Sequence, residues 1–120
     1  MKTYDIPMDT GEPVKGTFNI GALARLARDR HDLWDYYNNL YKKMQSNYVP
    51  NEIEMGKLIY VAYMCANIDH EPMSEEEFLY YLTDSREEIG RCYNELYGVQ
   101  EKKQNFQMHS GKRHEKRTKG

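Results

Sequence analysis

Between Met55 and Ala66, apolar side chains occupy almost every face of a helix. Met55, Leu58, Ile59, Ala62, Cys65 and Ala66 recur at helical spacing, and Tyr60, Val61, Tyr63 and Met64 fill the other faces. A helix that is apolar all round is buried in a core or spans a membrane. Spanning takes about 20 successive apolar residues, more than this run offers. The segment is therefore expected to be the central helix of a small, mainly α bundle of four to five helices. The polar loop Asn67–Glu71 ends it. A following helix starts at Ser74, which with Glu77 three residues on has the spacing of a capping box. Met73 and Phe78 flank that start as a hydrophobic staple.

The other elements are read outward from this pair. Tyr4, Ile6 and Met8 alternate with polar residues, a turn cluster follows at Asp9–Pro13, and Val14–Phe18 returns. A short irregular or hairpin-like N-terminal segment is expected, kept to an edge by its prolines. Asn19 caps a first helix whose apolar face is Ile20, Leu23, Ala24, Leu26 and Ala27, with Arg25, Arg28 and Arg30 on a solvated side. Asp32 is a candidate cap for a second helix carrying Leu33, Trp34, Tyr36, Tyr37, Leu40, Tyr41 and Met44. Whether the two helices are separate or one kinked helix is open at this stage. Ser46–Pro50 breaks the chain, and Asn51 caps the central helix, with Glu52 and Glu54 placed where its dipole favours acids. Ser85 and Glu88 repeat the capping-box spacing, which predicts a last helix over Arg86–Tyr97 stopping at Gly98. The alternative is one unbroken helix from Ser74 through residue 97.

Charge divides the chain. From Gln100 to Gly120 there are seven Lys/Arg against Glu101 and Glu115, or +5, so the remainder carries −7 of the formal −2. Phe106 and Met108 are the strongly apolar residues of that segment, too few to offset the entropy of ordering it. The expected organisation is a helical domain over 1–99 and a disordered basic tail over 100–120. Met1–Pro7 has no apolar core or small-residue cleavage site, so a cytoplasmic setting is expected. Cys65 and Cys92 fall among apolar neighbours and are read as reduced packing residues.

No glycine-rich phosphate loop, GxSxG, HExxH or CxxC occurs. Asp69-His70-Glu71 places potential metal ligands side by side, but consecutive side chains diverge. Glu75, Glu76 and Glu77 occupy a first helical turn, where acids ordinarily offset the dipole. A non-enzymatic protein with no cofactor and no metal is expected. Tyrosine is the outlier, at eleven residues. Most can be half-buried rings with wet hydroxyls; the rest are candidates for a protein-binding face. The candidates are Tyr36, Tyr37 and Tyr41 on the second helix and Tyr80 and Tyr81 on the helix after Ser74. Tyr37 and Tyr41 share a side with Trp34, so part of the set must turn inward.

The order Phe18–Leu26, then the apolar helix Leu58–Ala66, then the acid-capped Met73–Leu82, resembles the tail assembly chaperones of long-tailed bacteriophages and prophages of Gram-positive hosts. The likeness covers residues 17–97 and lies in layout and hydrophobic pattern. It implies a small helical protein of the host cytoplasm, without catalytic residues. Such a protein binds the tape-measure protein, helps recruit tail tube protein, and in many cases is also made as a longer frameshifted product. Two features depart from the family: the tyrosine-rich second helix and the prolines in the N-terminal segment. Self-association is left open, and no membrane partner is expected. A different reading is a small nucleic-acid-binding or regulatory protein using Lys112, Arg113, Lys116, Arg117 and Lys119 on phosphates. A structural phage component such as a head–tail connector is a third.

Overall fold

The computed structural model describes the backbone of residues 2–109 and the side chains of residues 2–98. Two strands, β1 (Tyr4–Ile6) and β2 (Val14–Gly16), precede five helices: α1 (Ile20–Asp29), α2 (His31–Gln45), α3 (Glu52–Asn67), α4 (Glu75–Tyr81) and α5 (Arg86–His109). The fold is a small, mainly α bundle with an N-terminal hairpin.

α3 is its centre. Every residue from Leu58 to Cys65 is buried, and α1, α2, α4, α5 and β2 all pack on it. Its start is a complete capping box: the Asn51 side chain accepts from Glu54 N–H, and the Glu54 carboxylate accepts from Asn51 N–H. Asn19 and Ser74 cap α1 and α4 in the expected way. At α5 the Ser85 hydroxyl accepts from Glu88 N–H. The Glu88 carboxylate takes the Thr83 hydroxyl, and that hydroxyl in turn accepts from Ser85 N–H. The capping box there closes through a third residue, and α4 and α5 are separate helices.

The antiparallel hairpin pairs Tyr4 with Gly16, Asp5 with Lys15 and Ile6 with Val14. It lies against the second half of α3. Thr17 N–H donates to the Ala62 carbonyl at 3.0 Å, and Asn67 donates to the Lys15 carbonyl. That approach requires Gly16, where a Cβ would stand 2.8 Å from Ile6 Cδ1 and 3.2 Å from Ala62 Cβ. After β1, Met8 bridges Leu82, Asp9 N–H reaches the Tyr81 carbonyl and Thr83 N–H reaches that of Pro7. The hairpin thus ties down the α4–α5 junction.

The question left open for α1 and α2 is answered: they are separate, and the break is at Arg30, which serves as C-cap of one and N-cap of the other without a side-chain cap bond. Several expectations are corrected. Asp32 is not the cap; it sits in the first turn of α2 and pairs with Arg30. Arg25 is not simply solvated: its guanidinium grips the Asp69 carboxylate, linking α1 to the loop after α3. This contact holds the Asp69 carboxyl below its ordinary range. Ile20, expected on the apolar face of α1, is exposed.

Gly98 does not stop α5, whose backbone continues to His109. Residues 110–120 of the expected tail lie outside the described residues. A Cβ at Gly90 or Gly98 would meet nothing within 4 Å, so Gly90→Ala and Gly98→Ala are each expected to stabilise the protein by about 0.5–1 kcal/mol. Thermal melting of the two variants measures this; a lowered midpoint would mean these positions are not helical.

Candidate functional site

The five candidate tyrosines divide. Tyr37 is buried, its ring packed with Phe18 at 5.9 Å, Trp34 at 5.8 Å, Tyr41 at 5.9 Å and Tyr97 at 6.3 Å. Tyr97 is buried beside it and donates its hydroxyl to the Leu58 carbonyl at 2.8 Å. The Trp34–Tyr37–Tyr41 side of α2 therefore turns inward, and Tyr37 is a core residue, not part of an exposed face. Tyr41 is half-buried on that same stack. Tyr80 and Tyr81 are exposed, at 78% and 38%, and meet edge to face at 5.1 Å.

Tyr36 is half-buried, with Lys57 Nζ 4.3 Å from its ring centroid. Lys57 also pairs with Glu75 of α4 at 3.3 Å. Tyr48 donates its hydroxyl to Glu54, and the phenol of Tyr36 feels Glu54, Glu75 and Tyr48. These residues make one neighbourhood spanning α2, the first half of α3 and α4. Burial first, and then those carboxylates, push the Tyr36 phenol up to about 12. The Asn51 N–H and the Tyr48 hydroxyl hold the Glu54 carboxyl below its ordinary value.

Beside this neighbourhood lie Val49 and Ile53, 76% and 75% exposed. Ile53 is four residues before Lys57 and three before Gly56, so it shares the face of α3 that α4 covers. α4 approaches Gly56 through Leu79, 3.2 Å from where a Cβ would stand, and leaves the first turn of α3 open. Sequence reasoning passed over Val49 and Ile53. The available signal was two β-branched apolar residues flanking the Asn51 cap, where a burying partner has no local reason to be.

Two other tyrosines are structural. Tyr60 donates to the Met73 carbonyl, and Met73 N–H donates to the Tyr63 hydroxyl, both at 2.9 Å. Together they clamp the α3–α4 loop, which passes through Glu71 at φ 51°.

A cleft of about 240 Å³ lies on another side, lined by Asp5, Pro7, Pro13, Glu88, Arg91, Cys92 and Glu95. Its thiol is a poor nucleophile, because burial pushes Cys92 up to about 12, as it does Cys65. Neither cysteine forms a disulfide. For both, the folded value lies above the ordinary 9.0. The unfolded chain therefore releases its thiol protons first. Their stabilising contribution is complete below pH 9.0 and is lost as pH rises through about 12. Tyr36 and Tyr97, raised from an ordinary 10.0, act in the same direction. The melting temperature is expected to fall steadily above pH 9.0, with both thiols resisting alkylation until the chain unfolds. Rapid native-state alkylation of either would contradict their burial.

Among the described residues, no three His, Cys, Asp or Glu side chains are grouped so as to hold a metal ion, and no helix is long and apolar enough to cross a membrane. Lys112, Arg113, Lys116, Arg117 and Lys119 lie outside the described residues. No family model matches this chain, and no curated protein or solved structure matches it either.

Proposed function

We propose that this chain is a non-enzymatic bacteriophage tail assembly chaperone of the host cytoplasm, one that holds the tape-measure protein and assists assembly of the tail tube. The observation that supports this best is the exposure of the apolar and aromatic side chains Tyr48, Val49, Ile53, Tyr80 and Tyr81; among the described residues Ile20, on α1, is the other large apolar side chain left exposed. Single exposed apolar side chains are ordinary. Three within residues 48–53, next to a half-buried tyrosine and an open first turn of α3, form a surface suited to an apolar helical stripe. A tape-measure protein is a long helical chain whose apolar stripe would aggregate in water, and covering that stripe needs contact area and no catalysis. The specific identity rests on the resemblance carried by Phe18–Leu26, Leu58–Ala66 and Met73–Leu82.

The experiment is co-purification with a tape-measure protein. Ile53→Ala, Tyr36→Ala, Tyr80→Ala and Tyr81→Ala should leave the fold intact, and a true anchor among them should weaken binding by about 2 kcal/mol or more. Tyr37→Ala is not a fair probe, because it opens the core. Unchanged binding by all four folded variants would remove this surface from the account.

A further inference from the structure

The outward side of α4 carries an acidic and aromatic face that neither the core nor a neighbouring helix uses. Tyr80 and Tyr81 are exposed on it, and Glu76 and Glu77 lie four residues before them. Each phenol therefore shares a stripe with a carboxylate. Asp84 and Glu87, both exposed, extend the negative surface past the end of the helix. Neighbouring acids are already engaged: Glu75 with Lys57, Glu52 with Arg86, and Glu88 with the Thr83 hydroxyl. Glu76, Glu77, Asp84 and Glu87 have no ion-pair partner among the described residues. A face of this composition suits a segment rich in Lys and Arg, which can pair with the carboxylates and stack on the phenols. It repels the phosphates of a nucleic acid.

The chain itself holds such a segment. Residues 110–120 contain Lys112, Arg113, Lys116, Arg117 and Lys119 against Glu115 alone. Geometry argues against their serving their own molecule. α5 begins next to this face, where Arg86 pairs with Glu52, and its 24 residues carry the chain about 35 Å away by His109. Eleven further residues span at most about 36–40 Å when fully extended. A return to α4 of the same chain would use most of that length as a bridge, leaving few of the cations to line the face.

We propose that the α4 face of one molecule, Glu76, Glu77, Tyr80, Tyr81, Asp84 and Glu87, binds the Lys112–Lys119 segment of a second copy. The association needs no other partner and does not depend on the tape-measure reading, but it shares Tyr80 and Tyr81 with that surface, so the two occupants compete for them. It is electrostatic and weakens as salt screens the charges.

The test is sedimentation of three full-length proteins at low and high salt. One is wild type. A face variant carries Glu76→Gln, Glu77→Gln, Tyr80→Ala and Tyr81→Ala. A tail variant carries Lys112→Gln, Arg113→Gln, Lys116→Gln, Arg117→Gln and Lys119→Gln. The four face positions are exposed, and circular dichroism checks that each protein is folded. Wild type should self-associate with rising concentration at low salt and dissociate at high salt. Each variant alone should be monomeric. Mixing the two should restore a one-to-one heterodimer, because one supplies an intact face and the other an intact tail. A wild type that stays monomeric at low salt, a variant that associates like wild type, or a mixture that forms no heterodimer would overturn the proposal.

Discussion

Leu58→Ala and Ile59→Ala are each expected to destabilise the protein by about 2–5 kcal/mol. Both side chains are 0% exposed and sit on the helix that every other helix touches. Removing either leaves a cavity whose walls belong to several elements, so no single neighbour can move in to fill it. The Leu58 position has a further consequence. Its carbonyl accepts the hydroxyl of fully buried Tyr97, and any shift of α3 there threatens a bond that has no water to replace it. Ile53→Ala, in the first turn of the same helix but 75% exposed, should change stability by no more than about 0.5 kcal/mol. Chemical denaturation of the three variants checks the contrast. Equal midpoints for all three would mean that the core is elsewhere.

Phe78→Ala is expected to cost about 3–5 kcal/mol. Phe78 is the buried residue of α4, a helix of 7 residues that cannot be stable alone. Its ring packs against Tyr63 at 4.7 Å and Tyr60 at 5.2 Å. Those phenols hold the backbone of Met73 from both sides. Loss of the ring removes the packing that orients both hydroxyls, so the α3–α4 loop should open along with the core. Hydrogen exchange should show the Met73 amide deprotected in Phe78→Ala beyond what the global loss of stability explains. A variant with wild-type exchange at Met73 would show that the clamp does not depend on Phe78.

How far these features could be read beforehand follows from how local their causes are. Asn19, Asn51, Ser74 and Ser85 act within one turn, and all four accept the expected backbone N–H. The burial of α3 was legible because no face of it is polar enough to meet water. What was not legible depends on distant contacts. Arg30 breaks α1 from α2 without a capping side chain of its own, next to Asp32 in sequence and Tyr60 in space. Arg25 finds Asp69 across 44 residues. Tyr37 could be assigned inward or outward until Phe18 and Tyr97 were seen to close on it. Gly98 has the composition of a helix stop, yet a glycine inside a helix costs about 1 kcal/mol, and α5 continues through it. In the candidate surface, Tyr80 and Tyr81 were legible as candidates, but which of the tyrosines are exposed was not, because that depends on how the helices pack. Val49 and Ile53 were passed over, since their exposure is a property of the packed bundle that residue type does not show.

The claim that joins these parts is that the bundle exists to cover an apolar helix of another protein. Co-expression with a tape-measure protein tests it most directly, read as the fraction of that partner left in the soluble phase. The account predicts a soluble complex with the wild-type chain, and an insoluble partner when the chain is omitted. A partner that precipitates equally with and without the wild-type chain would contradict it.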